Sequence, residues 1–397
     1  MFQKISESLI YRDPEFYSSF PGIANLGDGE LFIVFRRAPC YSGLPGVSPD
    51  WVAHLDRNSK LMYMRSHDNG KTWDKPRLLY APPIGAAQDG GVMFDGKTLF
   101  VNSFHWGNLP DHVIKTLRDN GQDEYIFSAY GGSNVATVLG SFVLRSTDGG
   151  KEWEGPFLPD PLPGYPDVYP GRPLRMHNRA NIIRLPDGRL LYPGQALHYR
   201  PQYSSSVVVY ESRDNGETWQ YLATPAADNG VAVFEEPCIT LTDSGKVVLL
   251  IRTHKSPSGE EYPDEAGTKR ARLWRCESAD GGRTWTEPVD LGIHGEPAAT
   301  CRMDDGRILV TYGYRMDPFG VRARICNPEM TDIAEAEEII IRDDATRPDC
   351  GYPWVAALGN NQYIIVYYMN PLGTGSAGGI YVTTAEIKYS ITSGVIQ

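Results

Sequence analysis

The chain has 397 residues, including 41 glycines and 30 prolines, and 41% of its residues are hydrophobic. This composition is typical of many short strands joined by turns and excludes a disordered chain. Its formal net charge of −11 argues against a nucleic-acid-binding protein, and no apolar run reaches the roughly 18–20 residues that span a membrane.

Cofactors and location are predicted from what the sequence does not contain. The six cysteines have no C-x-x-C spacing and no histidine–cysteine cluster has zinc spacing, so we expect reduced thiols, no metal and no cofactor. The first residues, Met1–Ser8, lack the basic and apolar regions of a signal peptide. We therefore expect a cytoplasmic protein, although a secreted protein stripped of its leader would look the same.

Six segments, taken in chain order, each predict a β-hairpin. Every segment has an apolar run, a turn at or near Asp-Gly or Asn-Asn, and a second apolar run. The segments begin at Phe20, Asp89, Arg179, Glu236, Glu296 and Tyr352.

An eight-residue phrase, S-x-D-x-G-x-x-W, follows each of the first four hairpins after one further strand. Its aspartate can accept backbone N–H bonds, its glycine supplies positive φ and its tryptophan can pack between sheets, so we assign it a structural role. The four copies are Ser66–Trp73, Ser146–Trp153, Ser212–Trp219 and Ser278–Trp285.

These repeats predict an all-β fold, a six-bladed β-propeller that forms a single domain over residues 1–397. Each blade has four strands, and the phrase is the turn between the outer two. The last unit lacks a strand, which the N-terminal segment Ile5–Tyr11 is expected to supply.

Strand geometry predicts where the candidate catalytic and binding side chains come together. The residues that open and close one hairpin lie at the same end of it. In a propeller whose innermost strands line the central axis, these positions therefore converge at one end of the axis, here called the mouth. The opening and closing positions gather cations, carboxylates, histidines and a tyrosine, namely Arg37, Asp89, His105, His177, Arg179, Glu236, Arg252, Glu296, Arg315 and Tyr352.

The four phrases, known as Asp boxes, and the six hairpins resemble the sialidase (neuraminidase) superfamily and its BNR-repeat relatives over nearly the whole chain. Sialidases clamp a carboxylate with three arginines and use a tyrosine nucleophile assisted by a glutamate, with an aspartate as acid/base. The resemblance implies that Tyr352 is the nucleophile and Glu236 its base. It also implies that Arg252 and Arg315 bind the anion with help from Arg37, and that Asp89 contacts substrate.

The acid/base is expected on the loop 38–57, where Asp56 and Asp50 are candidates and His54 is a less typical one. One departure from the pattern concerns the first hairpin. Sialidases open it with an Arg-Ile-Pro element, whereas this chain has Ser19-Phe20-Pro21, so one clamp arginine is missing. Arg179 or Arg36 would have to replace it, or the substrate is not sialic acid.

Each candidate also has a structural alternative. The arginines can form ion pairs with Glu235, Glu236 or Glu296, the tyrosine can simply pack, and Asp56 can cap the strand that follows it. His105 and His177 can be packing or stacking residues. Arg36 and Arg37 cannot both face the mouth, because neighbours in a strand point to opposite faces.

The sequence therefore predicts an exo-acting glycoside hydrolase on a carboxylated terminal sugar of an oligosaccharide. Histidines at the mouth also fit enzymes of uronate-containing chains, so a uronate lyase or a rhamnosidase cutting next to glucuronate is the first alternative. A propeller that binds carbohydrate without catalysis is the second.

Overall fold

The first hairpin shows how the sequence sets the strands. Strands β2 (Phe16–Gly27) and β3 (Glu30–Pro39) are two apolar runs joined at Asp28-Gly29. Asp28 and Gly29 have φ values of 51° and 85°, a left-handed turn that aspartate tolerates and glycine adopts without strain.

The coordinates form a computed structural model. They describe all residues except 1, 43, 48–55, 84, 123–125, 129–134, 165–166, 170–171, 174, 178, 199–203, 371–378 and 388–397. The described part is all-β apart from one helix, α1 (Asp111–Asp119). Within it, no helix is long and apolar enough to cross a membrane.

Four sheets in the described part have the size of propeller blades. The first is a meander in which β2 and β3 are followed by β4 (Lys60–Ser66) and β5 (Arg77–Tyr80). The second contains β6 (Ala86–Ala87), β7 (Gly91–Phe94), β8 (Leu99–Asn108), β9 (Phe127–Ser128), β10 (Val135–Ser146) and β11 (Glu154–Phe157).

The third of these sheets contains β24 (Ala298–Arg302), β25 (Ile308–Tyr314), β26 (Gly320–Cys326) and β27 (Ile339–Arg342). The fourth contains β28 (Gly351–Gly359), β29 (Gln362–Met369) and β30 (Gly379–Ile387), and the N-terminal β1 (Phe2–Arg12) is its outer strand, antiparallel to β30.

An eight-stranded sheet departs from the prediction of six separate blades. It joins β14 (Ile183–Arg184), β15 (Leu190–His198), β16 (Ser204–Ser212) and β17 (Gln220–Ala226) to β18 (Val233–Leu241), β19 (Val247–Lys255), β22 (Arg272–Ser278) and β23 (Val289–His294). The link is one parallel residue pair, Ser205 with Val233. The fold is thus a β-propeller arrangement with four separate blades in its described part, not six. Two small pairs lie outside these sheets: β12 (Asp167–Tyr169) with β13 (Arg172–Pro173), and β20 (Tyr262–Pro263) with β21 (Lys269–Arg270).

The hydrophobic core lies between neighbouring sheets. One cluster joins the first sheet to the last, with Ile33 and Phe35 packed in the same group as Ile364 and Val366. Neighbouring sheets cover each other's faces, and for this reason the strand sequences are nearly continuous runs of apolar residues.

The Asp-box phrases are outer turns, as predicted. In the third copy, Asp214 accepts hydrogen bonds from the Thr218 backbone N–H at 2.9 Å and from the Thr218 hydroxyl at 2.6 Å. The Trp219 indole N–H donates to the Gly216 carbonyl at 3.0 Å, and its ring meets Tyr192 edge-on at 5.5 Å. The aspartate is fully used by the turn, so it carries no chemistry.

We expect Trp219→Ala to lower the free energy of unfolding by about 3–5 kcal/mol, because the side chain is completely buried and leaves a cavity. Denaturant unfolding measures the loss. The matched control is Trp285→Ala, whose tryptophan occupies the same place in the fourth phrase but is only partly buried. An equal loss in the two variants would contradict the interpretation.

Candidate active site

Three inner strands are interrupted at the same point by an X-Pro bulge. The residues before proline, Phe20, Glu236 and Tyr352, have φ values of 55°, 43° and 48°. The pairing register shifts across each of them. A bulge re-aims the side chain it carries, and positive φ at a bulky residue persists only where its surroundings hold it.

Two of these bulges bring a tyrosine and a glutamate together. The Tyr352 hydroxyl donates a hydrogen bond to Glu236 Oε1. Arg252 Nη1 donates to the other carboxylate oxygen at 2.5 Å and to the Tyr352 hydroxyl at 3.1 Å. The three side chains come from the last sheet and the eight-stranded sheet, and all are less than a tenth exposed.

Electrostatics fix the protonation of this group at neutral pH. Burial and the adjacent Glu236 charge raise the pKa of Tyr352 well above its usual range, although Arg252 and Arg315 oppose the shift. Burial lowers the pKa of Arg252, but Glu236 and Glu296 outweigh it and raise that pKa well above its usual value. Tyr352 is therefore a neutral phenol whose proton faces a carboxylate.

Glu296 joins the two later arginines. Its Oε2 lies 2.9 Å from Arg252 Nη2 and 3.4 Å from Arg315 Nη1, and its Oε1 accepts the Ala271 backbone N–H at 3.0 Å. Burial would raise the pKa of Glu296, but Arg252 and Arg315 lower it to about 2. A carboxylate of the protein thus occupies the space between two predicted anion-binding arginines.

Arg179 lies beneath the tyrosine. Its guanidinium carbon is 5.4 Å from the Tyr352 ring centroid and 4.8 Å from that of Trp354. Nη1 donates to the Ala298 carbonyl at 3.1 Å and Nη2 to the Pro353 carbonyl at 2.5 Å. These contacts make Arg179 a support for Tyr352.

The first hairpin contributes Arg36 to the mouth, and the prediction for Arg37 is wrong. Arg37 stacks on Phe16 at 4.2 Å and its Nη1 is 3.5 Å from the Tyr11 hydroxyl. Arg36 is fully buried, and burial lowers its pKa against the charges of Tyr17, Asp56, Asp89 and Asp349.

The bulge explains the shift from Arg37 to Arg36. In three sheets the residue just before the bulge pairs with an equivalent residue of the second strand. These pairs lie the same distance apart along the chain and are Ser19 with Arg36, Glu235 with Arg252, and Gly351 with Tyr368. Arg36 is therefore the structural counterpart of Arg252, and this correspondence becomes visible only in the register of the folded sheets.

Asp89 and Asp56 are both buried near Arg36. Asp56 Oδ1 accepts the Asn58 backbone N–H at 2.7 Å, so it caps the turn before β4 while its charge acts on Arg36. Burial and the charge of Glu236 raise the pKa of Asp89 to about 8, so that it is protonated at neutral pH. Asp50 and His54 lie outside the described residues.

The two histidines are packed rather than poised for proton transfer. His177 Nδ1 lies 3.1 Å from the Gln195 carbonyl, and His105 stacks on Phe142 at 4.2 Å. Burial lowers the pKa of both rings to about 4, so they are neutral at physiological pH. Among the described residues no three metal-ligating side chains are grouped.

Residues missed by the sequence reading complete the mouth. Tyr368 donates a hydrogen bond to Asp349 Oδ1 at 2.8 Å, and the Tyr17 hydroxyl donates to the other oxygen. Arg315 Nη2 lies 3.4 Å from the Tyr368 hydroxyl. Tyr368 pairs with Gly351 just before the third bulge, as Arg36 and Arg252 pair with their partners before the other two. Asp349 lies just before β28, where no strand pattern in the sequence marks it.

Comparisons with known proteins agree with this architecture. The β-propeller arrangement and the Asp-box turns are those of a sialidase-superfamily or BNR-repeat protein. The family model for the BNR repeat-like domain matches residues 116–365, more than half of the chain. The chain belongs to the BNR repeat-like domain family.

One curated relative, a sialidase from Bacteroides fragilis (strain YCH46), is 24% identical over 278 residues. The match covers 67% of this chain and 42% of the relative, so the chain spans less than half of that protein's length.

Three solved structures show the same fold. A protein of unknown function from Dyadobacter fermentans is 33% identical with a TM-score of 0.85, covering 98% of this chain and 99% of its own. The NanB sialidase of Streptococcus pneumoniae is 14% identical, with a TM-score of 0.59 and coverages of 96% and 70%. An alpha-L-arabinofuranosidase from Fusarium graminearum is 13% identical, with a TM-score of 0.58 and coverages of 96% and 97%.

We expect Asp89→Asn to change how stability depends on pH. The folded pKa of about 8 lies above the ordinary value of 3.8, so the folded state holds a proton that the unfolded state releases. Asp89 therefore makes the free energy of unfolding fall as pH rises between these values, by about 1.4 kcal/mol per pH unit.

Denaturant unfolding of both proteins between about pH 5 and 8 measures this contribution as a difference in slope. The two histidines titrate equally in wild type and variant, so they cancel. Parallel stability curves would show that Asp89 is ionised in the folded protein.

Proposed function

We propose that this protein is a glycoside hydrolase that removes a terminal sugar by a retaining, double-displacement reaction. The observation that carries the proposal is the hydrogen bond from the buried Tyr352 hydroxyl to the Glu236 carboxylate. A tyrosine is a weak nucleophile until a neighbouring base takes its proton, and tyrosine nucleophiles are a recognised exception to two-carboxylate glycosidases.

In the first step Tyr352 Oη attacks the anomeric carbon while its proton passes to Glu236. The bond to the leaving oxygen breaks, and an aspartic acid protonates that oxygen. In the second step water attacks the same carbon, the aspartate takes the water proton, and Glu236 returns its proton to the departing Tyr352. The sum is addition of one water molecule, with two inversions that retain configuration.

Asp56 is the acid/base proposed from the sequence, and its burial beside Arg36 is compatible with that role. Asp89 is the second candidate, because its raised pKa keeps it protonated at neutral pH. Proton donation by a positioned acid contributes roughly 10²–10⁴-fold to the rate of such reactions.

Exo action is supported by burial. Tyr352, Glu236 and Arg252 are each less than a tenth exposed, so a chain end reaches them more readily than the middle of a polysaccharide. Two proteins similar to this chain, a sialidase and an alpha-L-arabinofuranosidase, are glycosidases.

The propeller itself is proposed to have six blades. The eight-stranded sheet contains two consecutive antiparallel sets joined by one residue pair, β14–β17 and the set that begins with β18. We count this sheet as two successive blades around one axis. Arg179 then precedes the first of these blades, and Glu236 lies in the second.

The two alternatives receive less support. A lyase or rhamnosidase that uses histidine as base conflicts with the packing of His105 and His177, both neutral and engaged with neighbours. Ultraviolet absorbance of an unsaturated uronate product separates a lyase from a hydrolase. A binding propeller would not need a tyrosine proton aimed at a buried carboxylate.

We expect Tyr352→Phe to abolish hydrolysis and Glu236→Gln to lower kcat by about 10²–10⁴-fold, because the first removes the nucleophile and the second its base. The measurement is nitrophenol release from a panel of 4-nitrophenyl glycosides, with NMR of the first-formed anomer.

The matched control is Tyr367→Phe, which removes a buried hydroxyl that is hydrogen-bonded to Thr383 in the same sheet as Tyr352. It should lose stability and keep its turnover number. Full activity of Tyr352→Phe on a substrate that the wild type cleaves would refute the mechanism.

A further inference from the structure

Arg36 differs from the other arginines of the mouth in having no hydrogen-bond partner. Its Nε, Nη1 and Nη2 atoms are all closed to solvent, and none of them has a hydrogen-bond partner among the described residues. The guanidinium groups of Arg179, Arg252 and Arg315 are in contact with oxygen atoms of the protein. Buried charges are normally paired, because an unpaired charge loses its hydration without compensation. Arg36 therefore has both the donors and the charge to receive a partner from a ligand.

The pairing register shows why Arg36 lacks a carboxylate. Arg36 and Arg252 occupy matching positions, and the two residues at the matching bulge are Ser19-Phe20 for the first and Glu235-Glu236 for the second. The two glutamates lie 3.9 Å and 2.5 Å from nitrogen atoms of Arg252. The first sheet thus keeps the arginine and replaces both of the carboxylates with uncharged side chains.

The carboxyl groups whose charges act on Arg36 have other partners. Asp349 accepts hydrogen bonds from two tyrosine hydroxyls, and Asp56 accepts one from a backbone N–H at 2.7 Å. Asp89 is protonated at neutral pH, because burial and the charge of Glu236 raise its pKa to about 8. None of these three groups forms a hydrogen bond with Arg36.

Ser19 supplies a second donor at the same place. It lies directly opposite Arg36 in the pairing of β2 with β3, so the two side chains are on the same face of the sheet. Its hydroxyl is fully buried and has no hydrogen-bond partner in the described part of the chain. A planar guanidinium offers parallel N–H groups to one carboxylate or sulfate, and a hydroxyl adds a further donor. Together they suit an anionic oxygen group.

Arg36 and the proposed nucleophile are closed to solvent together. Arg36 and Ser19 are fully buried, and Tyr352 and Glu236 are 4% and 5% exposed. The Phe20 ring lies next to both groups, with its centroid 4.7 Å from that of Tyr352 and 5.9 Å from the Arg36 guanidinium carbon. Arg36 is thus one ring away from the nucleophile, and a ligand enters either position only when the mouth opens.

We infer that Arg36, together with Ser19, is the anion-binding position of this mouth and receives an anionic oxygen group of the ligand. This position is separate from the space between Arg252 and Arg315, which Glu296 occupies. The inference rests on the proposed function in placing the ligand in the same mouth, but it does not require turnover. The anion is either a carboxylate carried by the sugar or a free small anion, and the test separates the two.

The test is calorimetric titration of the wild-type protein with sugar acids, their uncharged partners and sodium sulfate. The acids are D-galacturonic, D-glucuronic and N-acetylneuraminic acid, and the partners are D-galactose, D-glucose and N-acetylneuraminic acid methyl ester. We expect a sugar acid to bind at least about tenfold more tightly than its uncharged partner, and Arg36→Met to lose that difference. Binding of sulfate alone, also lost in Arg36→Met, would assign the position to a free anion.

The matched control is Arg37→Met, which removes the same charge from the next residue of the strand, where the guanidinium stacks on Phe16. It should bind anions as tightly as the wild type does. The inference is overturned if no anion binds to the wild type, or if Arg36→Met and Arg37→Met bind anions equally well.

Cleavage of 4-nitrophenyl glycosides is measured in parallel. Anion binding that depends on Arg36, without cleavage of any glycoside, would refute the proposed hydrolase and leave the inference standing. Cleavage without anion binding that depends on Arg36 would do the opposite.

Stability gives a second measurement that needs no ligand. Arg189 is a buried arginine that is paired, with Nε 2.8 Å from Asp187 and Nη1 2.7 Å from Glu211. Arg189→Met leaves these carboxylates without their partner, whereas Arg36→Met removes a guanidinium that has no hydrogen-bond partner in the described part of the chain. We therefore expect denaturant unfolding to show a smaller loss of stability for Arg36→Met. An equal or larger loss, or failure of Arg36→Met to fold, would show that the protein itself already pairs Arg36 and would overturn the inference.

Discussion

The buried contact among Tyr352, Glu236 and Arg252 is the interaction on which the site depends. It joins the last sheet to the eight-stranded sheet across 100 to 116 residues of sequence. The tyrosine keeps its proton because burial and the neighbouring carboxylate both oppose its ionisation, and the arginine donates hydrogen bonds to both groups. The proposed nucleophile, its proposed base and their arginine therefore share one buried hydrogen-bonded group that forms only when distant sheets come together.

The bulges that aim this group are also responsible for the error in the first hairpin. Side chains alternate along a regular strand, so counting residues from the turn predicts which neighbour faces the mouth. One extra residue at Phe20-Pro21 shifts the pairing of β2 with β3 by one position, so that Ser19 lies opposite Arg36. Arg36 enters the mouth and Arg37 goes to Phe16, and the same register places Arg252 and Tyr368 at matching positions.

The predicted anion site differs from the observed mouth because several arginines there already contact groups of the protein. The arginines along the chain suggest an anion site, with ion pairing to Glu235, Glu236 or Glu296 as the structural alternative. In the folded protein Glu296 lies between two of them and Arg179 donates to backbone carbonyls. The histidines change meaning in the same way, since burial makes His105 and His177 neutral parts of the packing.

The sequence by itself determined the all-β repeat, the Asp-box turns and the presence of Tyr352, Glu236, Arg252 and Arg315 at one end of their hairpins, because hairpin periodicity and turn chemistry are local. Only the tertiary structure decided that two predicted blades share one eight-stranded sheet, that Arg36 replaces Arg37, and that Asp349, Tyr17 and Tyr368 join the mouth. Those facts depend on register shifts and on contacts between distant segments, and neither is encoded in the spacing of residues along one hairpin.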